Sequence, residues 1–574
     1  MTVNDTSGRE ATTQADERMP VQRHFGVWPA RAPKSLPLPQ THLYRNVEVS
    51  AMRYGKRPFV LFYDTPVNFQ RFQDESELIA GYLQQDCGVK KGDRVLLCMQ
   101  NSPQFMLAYY AILRADAVVV PVNPMNVADE WSHCAQDCGA RVAFVAQDLA
   151  DRVVPLIGTT LSNVIVATYS DYVSEAALAQ APDFVRQPRD RFVQAGVLAW
   201  ADVLAAARSP TPMLAGPDDL ALLAYTSGTT GRPKGCMHTH RSTMVNAVAP
   251  SAWFGTSQGN VSLVALPMFH VTGMQGGLNA PMYLGSTVVL LPRWNREAAA
   301  DYIRRYRVTS LNLITTMVVD LLASPDIAQF DLSSVRSIGG GGAAMPEAVA
   351  LSLFNRLGLR YSEGYGMSET MGATHMSPPD KPKAGSLGIP SFDVDARIVH
   401  PETLAELGLG EVGEIVVNGP QVMLGYWNSS AANEVAFVQL EGKRFLRTGD
   451  LGSIDDDGYF LFADRLKRMI NAAGFKVWPA EVEAVLHGHP AVQEACVIAA
   501  HHPRRGETVK ALIVLRSEHV GLMTAADLMT WAREHMAAYK CPHEFAFVNA
   551  LPKSAAGKIL WRQLQEEENR ARSV

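Results

Sequence analysis

The stretch "LLAYTSGTTGRPKG", Leu222–Gly235, joins a short apolar run to a loop of hydroxyls, glycines and two cations. The apolar run predicts a strand. Its glycines allow a tight turn that directs consecutive backbone N–H groups into a concave anion site. Lys234 adds a mobile positive charge. The hydroxyls that would donate to the same anion belong to Thr226, Ser227, Thr229 and Thr230.

This composition suits a polyphosphate, although the spacing is not that of a P-loop. In a P-loop the lysine is followed by Ser or Thr, whereas Gly235 follows Lys234 here. We therefore expect a phosphate-binding loop of another kind. A solvated Gly/Thr turn is the alternative.

Composition narrows the class of protein. The chain has 574 residues, 47% hydrophobic and 19% charged, with a net charge of −5. That length predicts two or more domains, and the weak negative charge gives no footprint for nucleic acid. No apolar run reaches the roughly 18–20 residues of a membrane span, and the polar N-terminus has no signal-peptide core. We expect a cytoplasmic protein with no integral membrane segment. Seven irregularly spaced cysteines indicate reduced thiols rather than a disulfide framework.

Strand-like and helix-like segments alternate through most of the chain. "DRVLLCMQ" is followed by the helical spacing of "SPQFMLAYYAILRA" and then by the apolar run "AVVVPVNP". Later, "STVVLLP", "REAAADYIRRYRV" and "TSLNLIT" repeat the pattern. This alternation predicts an α/β fold, with layered parallel-type sheets covered by helices.

The pattern of apolar residues and glycines changes twice towards the C-terminus. Short strands punctuated by glycine from about Val394 predict a small barrel-like subdomain. Further on, Pro479 begins the helical stretch "PAEVEAVLHGHP" within a small α+β domain. We expect five parts: a disordered or extended segment 1–40, a large domain 41–464, its barrel-like subdomain at about 394–464, a hinge at 464–468 and a mobile domain 465–574.

Three motifs contain groups that suit a nucleotide. In "GYGMSET", Tyr365 could stack on a base, and Glu369 is an oxygen ligand suited to Mg²⁺. The alternative is a strand-to-helix turn capped by Glu369. In "FLRTGDLG", Asp450 could accept both hydroxyls of a ribose, or form an Asx-turn. The glycines of "SIGGGGAAMP" could lie against a planar ligand, or make a flexible turn.

Two single residues have both ordinary and functional interpretations. Lys558 follows the flexible "SAAG" loop. It is either a surface lysine or a charge that a site receives when a domain closes. His270, in "LPMFHVTGMQGG", is either a packed core histidine or part of a slot opened by the glycines after it.

Together, and in this order, the motifs resemble those of the acyl-adenylate-forming superfamily, which includes acyl-CoA synthetases, firefly luciferase and the adenylation domains of peptide synthetases. "YTSGTTGRPKG" resembles the phosphate signature of that family. "GYGMSET", "GEIVVNGPQVMLGYW", "FLRTGDLG", "DRLKRMINAAGFKVWPAEVE" and "PKSAAGK" resemble its later motifs. The resemblance extends from about Phe59 to Leu564 and is closest to the AMP-forming fatty acyl-CoA synthetase branch.

The resemblance implies a two-step reaction with ATP, Mg²⁺ and coenzyme A. A carboxylate attacks the α-phosphate of ATP to give an acyl-AMP and pyrophosphate, and a thiol then displaces AMP. Lys558 would act in the first step, Thr226 and Glu369 would hold Mg²⁺, and Lys234 would contact phosphate. The implied nucleotide-binding set is Thr226, Ser227, Gly228, Thr229, Thr230, Lys234, Gly341, Gly342, Glu363, Gly364, Tyr365, Ser368, Asp450 and Arg465.

The resemblance also implies a domain rotation and an acyl pocket. Lys467 would be the hinge, where many members have Asp, and Gly474 and Phe475 would face coenzyme A after the rotation. The implied acyl-pocket residues are His270, Val271, Gly273 and Gly276.

The acid is expected to be a medium- to long-chain fatty acid, because the glycines after His270 permit a deep apolar pocket. An aryl or short branched acid is the alternative. So is a homologue that binds nucleotide or acyl groups without catalysis. The thiol substrate is expected to be free coenzyme A rather than a thiol tethered to a carrier. The sequence leaves a homodimer open as the oligomeric state.

Overall fold

Four β-sheets organise the chain. The computed structural model describes residues 20–226, 233–342, 345–472, 475–502, 506–554 and 558–572. The nine-stranded sheet has the order Ile389–Pro390, Gly372–Met376, Tyr361–Met367, Ser337–Gly341, Ser310–Asn312, Val261–Val264, Thr287–Leu290, Pro58–Phe62 and Thr65–Asn68. The seven-stranded sheet has the order Val197–Ala199, Asn163–Ala167, Val142–Ala146, Arg94–Cys98, Val118–Pro121, Leu220–Thr226 and Lys234–Thr239.

Two smaller sheets follow along the chain. The first is antiparallel and comprises Asp395–Val399, Gly413–Asn418, Lys443–Ile454 and Phe437–Leu440, with Phe460–Arg465 paired to Lys443–Ile454. The last comprises Phe475–Val477, Ile470–Ala472, Gly506–Leu515 and Val492–His502, with Glu544–Phe547 paired to Gly506–Leu515.

Helices cover the two large sheets and the last one. The α-helices are Arg45–Tyr54, Phe69–Gln85, Pro103–Arg114, Ala128–Cys138, Ala150–Val153, Glu175–Leu178, Asp183–Arg186, Trp200–Ala205, His240–Phe254, Val271–Met274, Ala280–Leu284, Arg296–Tyr306, Thr315–Leu322, Glu347–Leu357, Ser430–Ala436, Pro479–His487, Ala525–His535 and Trp561–Arg572. Gln275–Asn279 is π-helical. Among 3₁₀ turns, Pro20–Gly26, Ser368–Thr370 and Leu466–Arg468 matter below.

The predicted α/β fold is confirmed, and the structure adds how its segments are divided. The early strand-like runs form parallel strands of the seven-stranded sheet, and the later ones form the nine-stranded sheet. Between the early strands, Pro103–Arg114 is buried on every side. It begins after Ser102, whose hydroxyl accepts a hydrogen bond from the Phe105 amide at 3.1 Å. Periodicity alone could not assign strands to one sheet or two.

The predicted N-terminal segment needs correction over residues 20–40. Residues 1–19 lie outside the described part of the chain. From Pro20, however, the chain forms a 3₁₀ turn and then packs on the large domain. The Trp28 ring lies 4.9 Å from that of Trp253 and 5.6 Å from that of Phe392, both edge-on. This aromatic contact gives the segment a fixed position that its polar start did not suggest.

None of the helices in the described part of the chain has the length and apolar character of a membrane span.

Gly285 provides a test of the packing between the helices that flank the nine-stranded sheet. It ends the helix Ala280–Leu284 at φ 70°, and a Cβ there would come within 2.1 Å of the Tyr54 ring. Gly358 ends the helix Glu347–Leu357 at φ 68°, with nothing within 4 Å of its would-be Cβ. We expect Gly285→Ala to destabilise by about 2–4 kcal/mol, since strain and overpacking add, and Gly358→Ala by about 1 kcal/mol. Thermal unfolding of both variants measures the difference, and equal shifts would show that Tyr54 simply moves aside.

Candidate active site

A cleft of about 3340 Å³ opens at the carboxyl ends of the parallel strands. Thr226, Asn312 and Gly341 each end a strand and line it. In open α/β sheets ligands bind outside these strand ends, where the covering helices leave a crevice. The small antiparallel sheet and the C-terminal segment supply the remaining walls.

One end of the cleft joins a lysine to a carboxylate through a tyrosine. Thr226 and Lys234 are paired residues of adjacent antiparallel strands, and both line the cleft. The Lys234 ammonium lies 5.3 Å from the centre of the Tyr426 ring, and the Tyr426 hydroxyl donates to Glu369 Oε1 at 2.7 Å. This cation–π contact and hydrogen bond fix the lysine and the carboxylate relative to each other.

The turn that carries Glu369 is held by its own backbone. Ser368–Thr370 is a 3₁₀ turn that ends at Met371 with φ 50°. His238 Nε2 donates to the Ser368 carbonyl at 2.7 Å, and the Met423 amide donates to the Glu369 carbonyl at 2.8 Å. Burial lowers the pKa of His238 to about 4, so this ring is neutral at pH 7. Glu369 is therefore positioned before any ligand arrives.

The other end of the cleft is built around Asp450, which is only 2% exposed to solvent. The Tyr365 hydroxyl donates to Asp450 Oδ2 at 2.8 Å. Arg465 Nε lies 3.0 Å from Oδ1, yet this oxygen has no hydrogen-bond partner of suitable geometry among the described residues. A buried carboxylate oxygen in that condition is an acceptor site for a ligand hydroxyl.

Glycines and one buried acid line the cleft next to Tyr365. Gly341, Gly342 and Gly364 face it, and a Cβ on Gly341 would come within 2.3 Å of the Gly364 carbonyl oxygen. The strands can therefore approach this closely only without side chains at that point. Glu363 Oε1 accepts from the Met345 amide at 3.1 Å, and burial raises the pKa of Glu363 to about 7.

Lys558 reaches this cleft from the C-terminal segment. Its Cε lies 3.3 Å from the position a Cβ would take on Gly342. Crowding by protein atoms and the charge of Arg465 lower the pKa of Lys558, while Asp450 and Glu369 oppose that shift. The ammonium therefore lies within electrostatic range of the carboxylates at both ends of the cleft.

Ion pairs hold the chain on either side of Lys467, just before the domain that carries Lys558. Arg465 pairs with Asp450, whereas Arg468 pairs with Glu483 at 2.5 Å and donates to the Val497 carbonyl at 3.1 Å. Lys467 lies between them in a 3₁₀ turn. The chain thus passes from one anchored arginine to the other within three residues, which suits a hinge.

Asp464, which precedes Lys467, is hydrogen-bonded to the part of the chain that follows Lys467. Its Oδ2 accepts from the Ala480 amide, at the start of the helix Pro479–His487, at 2.6 Å. A carboxylate at a helix N-terminus satisfies an amide that has no partner within the helix. Breaking this contact would accompany any rotation of the C-terminal domain.

The acyl side of the predicted site is partly corrected. His270 and Gly276 line the cleft, with Thr272 and Gln275. Val271 is buried behind it, and a Cβ on Gly273 would come within 2.2 Å of the Pro267 carbonyl oxygen. Gly273 therefore allows backbone packing, and the spacing of the motif could not tell that role from a pocket.

The two predicted acyl-pocket residues that line the cleft are His270 and Gly276. The first has a neutral ring, and the second lies close to the Asn312 side chain. Burial and the charge of Lys558 lower the pKa of His270 to about 4, so its ring is neutral at pH 7. At Gly276 a Cβ would lie 2.0 Å from the Asn312 amide nitrogen. The Asn312 side chain thus extends from the sheet to the π-helix and narrows the cleft there.

Several predicted residues lie outside the described part of the chain: Ser227, Gly228, Thr229, Thr230 and Gly474. For Lys467 and Phe475 only the backbone is described. Their roles stay predictions.

Two residues of the site were missed from sequence. Tyr426 is part of "MLGYW", a stretch noted only for its resemblance, and its role depends on contacts with Lys234 and Glu369 that are distant in sequence. His238 lies in an ordinary strand pattern, where nothing distinguishes it from a core histidine. A tyrosine within a recognised motif was the only usable signal.

The fold and the charged cleft define the class of protein as a nucleotide-binding α/β enzyme. A family model described as AMP-binding enzyme matches residues 47–427, and one described as AMP-binding enzyme C-terminal domain matches 481–558. The chain belongs to the AMP-binding enzyme family.

Individual relatives resemble the chain over nearly its whole length. A long-chain-fatty-acid–CoA ligase of Bacillus subtilis (strain 168) is 34% identical, covering 94% of this chain and 97% of the relative. A feruloyl-CoA synthase of Amycolatopsis sp is 33% identical, covering 93% and 97%. The solved structure of the anthranilate CoA ligase AuaEII in complex with anthranoyl-AMP superimposes with a TM-score of 0.82 at 26% identity, covering 94% and 99%.

Asp450→Asn tests whether the free carboxylate oxygen binds nucleotide. The variant keeps the size of the side chain and loses a charged acceptor, so ATP should bind about 10- to 100-fold more weakly. Calorimetric titration with ATP measures this, and circular dichroism checks the fold. Asp456→Asn, on the exposed turn nearby, is the matched control. ATP affinity within twofold of wild type for Asp450→Asn would assign Asp450 a structural role only.

Glu363 predicts a pH dependence of stability. Its folded pKa of about 7 lies above the ordinary value of 4.5. The folded state therefore keeps a proton that the unfolded chain releases, and stability falls as pH rises from about 4.5 to 7. Glu363→Gln should remove this loss and be more stable than wild type at pH 8, on the order of 2 kcal/mol. Melting temperatures between pH 5.5 and 8 test it, with the exposed Glu402→Gln as control. A constant difference across that range would contradict the assignment.

Proposed function

We propose that the protein is an ATP-dependent acyl-CoA synthetase. It activates a medium- to long-chain fatty acid as acyl-AMP, releasing pyrophosphate, and then transfers the acyl group to coenzyme A. The observation that carries this proposal is the position of Lys558, beside Gly342 and within electrostatic range of Asp450 and Glu369. A positive charge there faces the place where an acid and an α-phosphate would meet.

In the first step the chain's contribution is position and charge. Asp450 accepts the ribose hydroxyls, and Tyr365 with the glycines beside it contacts the adenine. Lys234 and the hydroxyls from Thr226 onwards contact the outer phosphates. Lys558 neutralises the charge that develops as the carboxylate attacks, and such preorganised donors are commonly the largest contribution to catalysis.

A magnesium ion fits the same end of the cleft. Mg²⁺ is usually bound by one or two carboxylates together with substrate phosphates. The Tyr426 hydroxyl donates to one oxygen of Glu369, and Glu369 and Thr226 both line this cleft. Glu369 and Thr226 would hold the ion, which when bound supplies charge neutralisation on the phosphates.

The second step requires Lys558 to leave. Rotation at Lys467 would remove it and bring Gly474 and Phe475 towards the acyl-AMP, opening a path for the thiol of coenzyme A. Arg465 pairs with Asp450, and Arg468 pairs with Glu483, so both of these ion pairs can persist through the rotation, whereas the Arg468 contact with Asp464 at 3.9 Å spans Lys467. The Asp464 contact with Ala480 would break.

The alternative acid is an aryl or short branched one. The relatives include a long-chain-fatty-acid–CoA ligase and a feruloyl-CoA synthase, and the similar solved structure is an anthranilate CoA ligase. A protein that binds without catalysis is disfavoured, because the charged residues expected for the reaction are all present. All five line one cleft: Lys234, Glu369, Asp450, Arg465 and Lys558. CoA-dependent AMP release, measured over C6 to C18 acids and benzoate analogues, tests the activity. No release with any acid would refute the proposal.

Lys558→Ala separates the two half-reactions. Adenylation, measured by ATP–pyrophosphate exchange, should fall by about 10² or more because the developing charge loses its partner. Thioester formation from supplied acyl-AMP should stay near normal, since Lys558 is absent from that step.

Lys467→Pro is the complementary variant. A fixed φ should restrict rotation and slow thioester formation while adenylation continues. Equal loss of both half-reactions in both variants would contradict the two-conformation scheme and favour a static site.

A further inference from the structure

One wall of the acyl side of the cleft is polar where a parallel sheet is ordinarily apolar. In the nine-stranded sheet Leu263 and Leu311 are buried among helices on one face. Their neighbours Ser262 and Ser310 point to the other face, and Ser337 continues the same level on the next strand. Central parallel strands usually carry apolar residues on both faces, since helices cover both. Here Ser262, Ser310 and Ser337 are all among the residues that line the cleft.

The two central serines are held by a fixed amide. Asn260 Nδ2 donates to Ser262 Oγ at 2.8 Å and to Ser310 Oγ at 3.0 Å, while Thr309 donates to Asn260 Oδ1 at 2.7 Å. The serine oxygens lie 2.9 Å apart and share one hydrogen bond. Two hydroxyls carry two protons, so one proton has no acceptor among the described residues and is available to a ligand.

Further polar groups line the same cleft. The buried Thr256 Oγ1 and the Oε1 of Gln275 have no hydrogen-bond partner among the described residues, and both residues line the cleft. Gln275 is only 5% exposed. Apolar lining residues complete this part of the cleft: Pro250, Phe254, Ala280, Pro281 and Leu284. An occupant therefore meets carbon on some sides and hydroxyl groups on another.

The serine pair lies far from the reacting end. Ser337, level with Ser310, precedes Gly341 by four residues, which is about 13 Å along a strand. An acid whose carboxylate lies near Gly341 and Lys558 would thus bring its distal part to Ser262 and Ser310. A plain alkyl chain would displace water there without replacing its hydrogen bonds.

We propose that this cleft is selective for a carboxylic acid with a hydroxyl group at its distal end, which hydrogen-bonds to Ser262 and Ser310. This inference rests on the proposed function and specifies its substrate class. The hydroxyl belongs to an aliphatic chain of about ten carbons, because a single hydroxycinnamate unit is too short to cover the distance of about 13 Å between Gly341 and the level of the serines. Because the serines are already partly satisfied, the preference over the parent acid is about tenfold, as for one ordinary hydrogen bond.

Matched pairs of acids test the inference. Decanoate is compared with 10-hydroxydecanoate, and cinnamate with 4-hydroxycinnamate, by kcat/KM for CoA-dependent AMP release and by calorimetric affinity without CoA. The acid 10-hydroxydecanoate should be favoured about tenfold over decanoate, whereas 4-hydroxycinnamate, which is too short to reach the serines, should show no such preference over cinnamate.

Variants assign the preference to the serines. Ser310→Ala and, separately, Ser262→Ala should remove it while leaving the parent acid unchanged or improved. Ser334→Ala is the control, because its buried hydroxyl donates to the Val308 carbonyl at 2.8 Å and lies outside the cleft. Equal binding and turnover of decanoate and 10-hydroxydecanoate, or a preference that both serine variants retain, would overturn the inference. Absence of AMP release with all four acids would instead count against the proposed function, and calorimetry would still decide whether the serines select the hydroxyl.

Discussion

The Asp450 carboxylate connects the parts of the chain on which the cleft depends. It lies on the small antiparallel sheet, receives the hydroxyl of Tyr365 from the nine-stranded sheet, and pairs with Arg465 at the end of the strand Phe460–Arg465. Burying a carboxylate is costly unless its oxygens are paired. Strands of two sheets therefore have to meet at this residue. One oxygen nevertheless lacks a hydrogen-bond partner among the described residues, so a ligand hydroxyl would complete the pairing and stabilise the contact between the two sheets.

Charge balance bears on which arrangement of the C-terminal domain is favoured. Arg465 and Lys558 repel each other across the cleft, and the pKa of Lys558 is lowered partly for that reason. A polyphosphate between them would turn repulsion into shared attraction. Under the proposed mechanism, loss of pyrophosphate removes most of that negative charge, and the repulsion then favours departure of Lys558. The same two cations would thus stabilise the first arrangement and destabilise it once the first step is over.

Sequence predicted those features that depend on local pattern. The alternation of strands and helices was visible in apolar periodicity, and Pro479 began a helix as expected. Strand-end positions such as Thr226 and Gly341 could be predicted because turn chemistry and a recognised order of motifs occur at strand ends. Asp450 was expected in a turn after a strand, whereas it lies within the strand Lys443–Ile454. Gly273 was misjudged, because a glycine that admits a ligand and one that admits a carbonyl look alike in sequence. The packing of Trp28 on Trp253, and the role of Tyr426, depend on contacts between distant segments that no local pattern encodes.

The two faces of the nine-stranded sheet are under different constraints, and this bears on where substrate preference is determined. Leu263, Leu311 and Ile338 face helices, so their size and shape are fixed by a close-packed core. Ser262, Ser310 and Asn312 alternate with them and face the cleft, so a change there alters the acid's surroundings without disturbing that core. Nucleotide contacts come from strand ends and loops, which are a third set of positions. An α/β sheet of this kind can therefore keep one phosphate chemistry while its cleft-facing side chains adapt to different acids, and in this chain those side chains are hydroxyls and an amide.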